Sequence, residues 1–312
     1  MTGFLSCCDG VEYRLPQLVR WTVRHTLGVP ADDFDVCFLY DRSMEKLFAN
    51  AALFRGTWQG EDVFRGVVDA YTVTTDTGGQ TVQVTGRGMA ARLLDNESEP
   101  VQYLTCTLED ILRNHVRPCG ITEIDARVSG TAAGYLVESG TSQWTALYNF
   151  CRYVCGVTPR FSREGTLILA PESGRTLRID ARSGARAIAF IERRYGVVSS
   201  VVVRHTADCS RETVHDAQGE SRGLRCSRVI TVPRAPGYDA VRFTGRYQIE
   251  ESKKDSVICT LTLPQPFAAF PGDSVKLNVP EAGCAGSNWL VTETESWADG
   301  DGCGTRVTMR RK

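Results

Sequence analysis

Apolar and polar residues alternate with a period of two along much of this chain, the spacing that turns one face of a strand inward and the other outward. Arg20-Trp21-Thr22-Val23-Arg24 follows it, and so does Asp35-Val36-Cys37-Phe38-Leu39-Tyr40. Between them, Gly28-Val29-Pro30-Ala31-Asp32-Asp33 is a turn-rich break. Residues 15–26 also place Leu15, Leu18, Val19 and Val23 on one helical stripe. A helix is the alternative there, and the alternation favours a strand. Val63 to Thr74 is a long β-rich run, and Thr81 to Thr85 sets Val82 and Val84 between polar neighbours. Asp76-Thr77-Gly78-Gly79 supplies the tight turn that joins them. Met89 to Leu94 then reads as one helical turn, closed by Asp95-Asn96 and stopped at Pro100.

Helical spacing takes over in the middle of the chain. Thr107 can cap a helix over Leu108–Val116 with Leu108, Ile111, Leu112 and His115 on one face, ended by Pro118 and Gly120. Ser142 can cap a stronger one, where Trp144, Leu147, Tyr148, Cys151, Val154 and Cys155 recur at helical intervals up to Gly156. Pro159–Ser162 and Thr166–Leu169 then pair as a hairpin around Arg163-Glu164-Gly165.

From Arg193 the chain is β again. Val197–Val203 predicts a continuous apolar strand, and Arg204–Gly223 an exposed loop or extended hairpin. Val275–Val279, Trp289–Trp297 and Thr305–Met309 alternate, with Ala298-Asp299-Gly300-Asp301-Gly302 as the last hairpin turn. The late hairpin over Trp289–Met309 repeats the character of the early one over Val63–Thr85. The pattern predicts a mainly β fold with a small α+β insert. A first β-barrel module spans residues 1–100, an α/β insert of two helices and a hairpin spans 101–192, and a second β-barrel module spans 193–312. Strands can pass from one barrel to the other, so these boundaries are approximate.

A chain of 312 residues accommodates two or three such modules. It is 42% hydrophobic and 23% charged, which argues against disorder. Its 36 Lys+Arg against 37 Asp+Glu give no electrostatic drive towards nucleic acid or an anionic membrane as main partner. No apolar stretch approaches the roughly 20 residues of a spanning helix. The opening residues lack the basic and apolar regions of a signal peptide, so folding in a cytoplasm is expected. The 12 cysteines then read as free thiols. Cys37, Cys106, Cys151, Cys155, Cys226 and Cys259 lie in apolar or alternating segments, as small buried hydrophobes do, and no CxxC occurs. His25, His115, His205 and His215 do not stand at zinc-finger spacing to a cysteine pair. Cys151 and Cys155 could seed a metal site only with two outside ligands; an apolar helix face accounts for them.

The motifs that place catalytic groups are missing: no GxSxG, no HExxH and no GxxxxGK[ST]. Gly86-Arg87-Gly88 opens a dinucleotide fingerprint, but Ala91 stands where its third glycine belongs. Glu97 with Glu99, Glu250 with Glu251, and Glu293 with Glu295 are the candidate carboxylate pairs for glycoside hydrolysis. Glu293 and Glu295 alternate with Thr292 and Thr294, so they share one face of one strand, as in a solvated edge. Asp299-Gly300-Asp301-Gly302 is similar to a calcium loop but lacks the spacing and the closing Glu of one. Trp21 beside Arg20 and Arg24, and Phe161 beside Arg160 and Arg163, could stack single-stranded nucleic acid. Cross-strand core packing with charged rims is the commoner cause of such pairs and the favoured reading. No catalytic, cofactor-binding or metal-binding residue is expected.

Taken in order, Phe34–Tyr40, Gly60-Glu61-Asp62-Val63-Phe64-Arg65-Gly66-Val67-Val68-Asp69-Ala70-Tyr71, and the run Thr85-Gly86-Arg87-Gly88-Met89-Ala90-Ala91-Arg92-Leu93-Leu94-Asp95-Asn96-Glu97-Ser98-Glu99-Pro100 resemble one family. It is the baseplate hub (late control D) superfamily of contractile phage tails and defective prophage particles. The resemblance continues in Gly140-Thr141-Ser142-Gln143-Trp144, in Phe270-Pro271-Gly272-Asp273-Ser274-Val275 and in Trp289-Leu290-Val291. It covers about two thirds of the chain, and residues 204–240 match nothing in it.

The resemblance implies two tail-tube-like β-barrels flanking an α/β insert, assembled as a homotrimer. Two barrels per chain make the trimer a pseudo-sixfold ring between the sixfold tail tube and the threefold central spike. The implied partners are the tail tube protein, the spike, other baseplate proteins and the tape measure protein. DNA enters only as cargo through the lumen, and there is no stable membrane insertion. The implied place is the baseplate at the tip of a virion or tail-like particle made in the bacterial cytoplasm. No enzymatic role, cofactor or catalytic residue is implied. The alternatives are a tail-associated peptidoglycan hydrolase and a carbohydrate-binding tail adhesin. A hub also needs sheet faces that are neither wholly apolar nor wholly charged. Val82 and Val84 against Thr81, Gln83 and Thr85 have that character, as do Thr292 and Thr294 opposite Trp289, Val291 and Trp297.

Overall fold

The computed structural model describes residues 1–8, 10–28, 30–172, 174–180, 184–185, 187–279 and 284–312. The first third holds strands β1 (Thr2–Cys7), β2 (Glu12–Arg14), β3 (Leu18–Thr26) and β4 (Asp33–Leu39), then helix α1 (Glu45–Asn50). It continues with β5 (Ala51–Trp58), β6 (Glu61–Asp76), β7 (Gly79–Gly88) and the single turn α2 (Ala91–Leu94). Within residues 15–26 the structure forms a strand, not a helix, over Leu18–Thr26, with Trp21, Val23 and His25 inward. Val29, in the turn expected after it, lies outside the described residues.

The middle third holds β8 (Val101–Thr107), α3 (Leu108–Ile111), β9 (Ile124–Ala126), β10 (Thr131–Val137), α4 (Gln143–Phe150), β11 (Arg160–Phe161) and β12 (Leu167–Leu169). Both helices begin where their caps predict. Thr107 accepts from the Asp110 N–H while Asp110 accepts from the Thr107 N–H, a complete capping box, and Ser142 accepts from the Thr145 N–H. Each helix runs on in wider turns, to Val116 and to Cys155, and Gly156 ends the second in the left-handed region at φ 70°. Leu108, Ile111, Leu112 and His115 are all buried, as are Trp144, Leu147 and Cys151, joined by Ala146 and Phe150. Together with β8, β10 and β12 they form one apolar core.

The last part holds β13 (Thr176–Asp180), β14 (Ala187–Glu192), β15 (Ser200–His205), β16 (Arg211–His215), helix α5 (Ala217–Ser221), β17 (Ser227–Val232) and helix α6 (Gly245–Lys253). It ends with β18 (Val257–Leu263), β19 (Ser274–Val279), β20 (Cys284–Asp299) and β21 (Gly302–Arg311). The apolar run at Val197–Val203 begins its strand only at Ser200. That strand lies central in a separate small sheet, antiparallel to β16 and parallel to β17. Val198, Val201, Val203, Val232 and Ile249 make its own core under α6. The Arg204–Gly223 stretch is thus a short hairpin followed by α5. Arg152 at the end of α4 ties this unit to the insert through Tyr247, Tyr148 and Glu251.

The expected β modules are not separate sheets. Their strands join in one large sheet ordered β14-β18-β21-β20-β3-β4-β7-β6-β5-β1-β2, with β19 beside β20 and β13 beside β19. All neighbours are antiparallel except β13 and β19. The seam between the halves is β3 against β20, from Thr26 opposite Glu293 to Trp21 opposite Ala298. Phe267, from the second half, stacks on Trp21 at 5.3 Å and belongs to the core of the first.

Five strands in each half have the same pairings. β3 pairs β4, β4 pairs β7, β7 pairs β6 and β6 pairs β5; likewise β14 pairs β18, β18 pairs β21, β21 pairs β20 and β20 pairs β19. The agreement extends to single residues. Gly66–Asp76 on Gly79–Gly88 and Trp289–Asp299 on Gly302–Arg311 have the same register, each with one unpaired residue in the fourth place, Asp69 and Thr292. Each hairpin turn is held by its Asp, which accepts from Gly78 N–H in the first and from Asp301 N–H in the second. The match stops at β1 and β13, which run antiparallel and parallel to their neighbours.

The Thr292 bulge corrects one expectation. An extra residue in a strand reverses which side chains face inward beyond it. Trp289 and Val291 are buried before it, and Thr294 and Ser296 are buried after it. Thr294 therefore lies on the core side, and the face expected of Thr292 and Thr294 opposite Trp289 and Val291 does not exist. The face expected around Val82 and Val84 does: both are buried, and Thr81, Gln83 and Thr85 are half-buried on the other side.

Candidate assembly surface

Two of the three carboxylate pairs, Glu293 with Glu295 and Glu250 with Glu251, are engaged in ion pairs. Arg24 on β3 reaches Asp33 at 2.7 Å, Glu295 at 2.8 Å and Glu293 at 3.6 Å, and Arg306 on β21 reaches Glu295 at 2.9 Å. Donating a hydrogen bond to Glu295 raises the pKa of the Arg24 guanidinium above its ordinary value. Glu250 meets Lys253 at 3.5 Å, and Glu251 is held by Arg152 and Lys254. The Glu97 carbonyl accepts from the Gln143 side chain at 3.1 Å, and both Glu97 and Ser142 are exposed or half-buried partners in an isolated bridge. Asp299 accepts from Asp301 and Gly302 N–H at 2.9 and 3.1 Å, which explains the Asp-Gly-Asp-Gly run without a cation.

One buried pair was not legible in the sequence: Ser98 Oγ lies 3.2 Å from His115 Nδ1. It is not an activated nucleophile. Nδ1 also lies 2.7 Å from Gln143 Oε1, which can only accept, so Nδ1 carries the proton and cannot take one from Ser98. Tyr103 donates to Nε2 at 3.0 Å, and burial lowers the imidazole pKa. The ring is a neutral spacer between α3, α4 and the Glu97–Pro100 segment.

Of the cysteines expected to be buried, Cys37, Cys106, Cys151 and Cys259 are, Cys155 is half-buried, and Cys226 is exposed at the mouth of β17. A pattern of neighbours cannot tell a strand from the loop before it. Burial pushes the thiols of Cys106 and Cys155 up to about 11. Cys284 lies outside the described side chains. Among the described residues no three His, Cys, Asp or Glu side chains gather as a metal site.

The run from Gly86 to Pro100 joins the first half to the insert. Arg87 makes paired hydrogen bonds to Asp69 and to Asp95, and Asn96 donates to the Arg92 carbonyl. Backbone bonds from Ser98 to Thr141 and from Gln143 to Asn96 dock it on the start of α4. The Pro-Gly-Asp run works in a similar way. Asp273, buried, accepts from the N–H groups of Phe270 and Arg175, while Gly272 takes φ 97°. The motif residues act as joints between neighbouring segments.

A half-buried polar face runs across the large sheet. Thr81, Gln83 and Thr85 of β7, Asp33 and Asp35 of β4, Thr22 and Arg24 of β3, and Glu295 of β20 line up across neighbouring strands. Gln83 donates to Asp35 at 2.7 Å, so charges and amides on this face are largely satisfied by each other. No known family profile matches the chain, and no curated protein sequence does. Solved structures do. The tail protein from Neisseria meningitidis MC58 superposes with a TM-score of 0.82 at 17% identity, over 100% of this chain and 96% of that one. The fold is that of a phage tail protein. The 43 kDa tail protein of prophage MuSo2 from Shewanella oneidensis gives 0.80 at 17% identity, over 100% and 98%. The E. coli c3393 protein, a type VI secretion component described as similar to the T4 tail proteins gp27 and gp5, gives 0.58 at 10% identity, over 95% and 74%.

Two buried groups beside the seam make the stability of this tail-protein fold depend on pH in opposite directions. His25 lies between Phe64 and Phe270, and burial lowers its pKa to about 3. The unfolded chain protonates His25 first, so this group withdraws stability as pH falls from about 6.5 towards 3. Asp32 accepts from the Thr26 N–H and hydroxyl at 2.7 and 3.0 Å, yet burial pushes it up to about 7. The folded chain holds that proton longer, so stability falls as pH rises from about 4 to 7. Asp32→Asn removes the second effect alone. Melting temperatures from pH 4.5 to 7.5 should then fall more steeply on acidification than in the native chain, because the variant's stability falls by up to about 1.4 kcal/mol more per pH unit. Parallel curves for the two proteins would contradict these assignments.

Proposed function

We propose that this chain is a non-enzymatic hub subunit at the baseplate of a contractile, phage-type tail. Three copies form a ring that joins the sixfold tail tube to the threefold central spike. The observation that carries the reading is the duplicated five-strand unit, residue-matched between Gly66–Gly88 and Trp289–Arg311. Two like units in one chain let a threefold object offer six near-equivalent docking surfaces, so a sixfold tube seats on it without a symmetry clash. Residues 1–100 contribute one tube-like barrel module; the other is built from β18 to β21 together with β13 and β14, which the chain supplies from the end of the 101–192 stretch, and the rest of that stretch is the insert. The partners are the tube protein, the spike, neighbouring baseplate proteins and the tape measure protein. The self-neutralising polar face suits a channel wall past which DNA travels as cargo, because it offers few unpaired cations to hold phosphate.

The interfaces must withstand contraction, so they bury well above the roughly 1,600 Å² of a standard contact. Density for this subunit in the assembled particle is expected to contain three copies around the tail axis, two modules each. Six copies, or a position away from the axis, would overturn the proposal. Purified protein is expected to leave peptidoglycan intact, since Glu293 and Glu295 are tied to arginines. Cell-wall cleavage that Glu293→Gln or Glu295→Gln abolishes would make the chain an enzyme.

A further inference from the structure

The large sheet has two unfinished edges, and its internal seam states what fits them. β20 is paired on one side by β19 along its first half and by β3 from Glu293 to Ala298. Its counterpart β6 is paired by β5 along its first half only, up to Val67. Among the described residues no strand takes the same side of β6 beyond Val68. The counterpart of β3 is β14, which pairs β18 on one side and no described strand on the other. Each chain therefore has one filled seam, β3 on β20, and the two separated halves of a second.

We infer that β14 of one copy adds, antiparallel, to the Ala70–Thr75 edge of β6 in the next copy, in the register that the internal seam dictates. The equivalences follow from the shared pairings. Glu293–Ala298 of β20 correspond to Ala70–Thr75 of β6 through the matched hairpins. Trp21–His25 of β3 correspond to Ile188–Glu192 of β14 through their partners on β4 and β18, which in turn are matched through β7 and β21. Carrying the seam across puts Tyr71 opposite Glu192, Val73 opposite Phe190 and Thr75 opposite Ile188.

Burial supports that register independently. Tyr71, Val73 and Phe190 are 46%, 39% and 46% exposed, although each lies on the side of its strand that faces the core. Their counterparts in the filled seam, Thr294, Ser296 and Val23, are 2%, 2% and 0% exposed. Apolar side chains left open at the positions that the internal seam buries are what an edge awaiting a strand should carry. The path from β14 to β6 holds eight strands, so each added copy extends one continuous inner wall by eight.

This inference rests on the ring reading above, and its test separates the two. The full chain carrying Val73→Cys and Phe190→Cys is assembled in its particle and oxidised mildly. Interchain disulfides linking three chains are expected, at least tenfold above the off-register pair Thr72→Cys with Phe190→Cys, whose side chains leave opposite faces of the sheet. Chains with one substitution report the background of the 12 native cysteines. A second variant, Val73→Arg, leaves the melting curve of the isolated chain unchanged, because the position is open there, and lowers ring formation at least tenfold. A three-copy ring that fails to cross-link, cross-links equally in the off-register pair, or forms normally with Val73→Arg overturns the seam and leaves the hub reading standing. A native chain that makes no contact with its own copies on the tail axis overturns both.

Discussion

Replacing Gly86 by alanine is expected to destabilise the chain by about 3 kcal/mol, enough to lower its melting temperature by several degrees. Gly86 sits in β7 between Phe34 of β4 and Val68 of β6. A Cβ there would stand 2.0 Å from the Val67 carbonyl oxygen and 2.6 Å from the Phe34 ring. The ring can turn, but the carbonyl is backbone in a paired strand, so relief requires the sheet to open at the Asp69 bulge. That bulge also carries the Arg87 clamp to Asp69 and Asp95, so the damage should spread into the joint with the insert. Gly300→Ala is the control: nothing lies within 4 Å of its added Cβ, and the change should stay within about 0.5 kcal/mol. Thermal unfolding of the three proteins side by side measures the difference. Equal melting temperatures would mean that β6 and β7 are farther apart than drawn.

Trp144→Ala should cost about 3–5 kcal/mol, the usual result of emptying a buried indole site. Trp144 is 6% exposed and packs against Phe161 and Tyr148, in the core that joins α3, α4 and the hairpin of β11 and β12. That core is separate from the one beneath β3 to β7. The loss should therefore be local first. Amide exchange should speed up across β8 to β12 while β4 and β7 keep their protection. A melting curve unchanged by the substitution would remove the tryptophan from the core of the insert.

Much of the local structure was legible because its causes are local. The caps at Thr107 and Ser142, the stop at Gly156 and the turns at Asp76–Gly79 and Asp299–Gly302 are each made by residues within a few positions of one another. The candidate acids were legible as candidates, but their neutralisation was not. Arg24 lies far from Glu293 and Glu295 in sequence and meets them only because β3 pairs with β20. The Ser98–His115 contact was hidden for the same reason: it needs Gln143 from another helix to define its protonation.

The sequence by itself determined which residues alternate, where helices begin, where hairpins turn, and that an early hairpin returns late in the chain. Tertiary structure alone decided which strands became neighbours. A period of two sorts side chains to the two faces of a strand, but backbone hydrogen bonds leave sideways, in the sheet plane, and carry no sequence code. The union of the two halves at β3 and β20, the separate sheet around β15, the reversal of faces at Thr292 and the open edges of β6 and β14 all follow from those lateral choices.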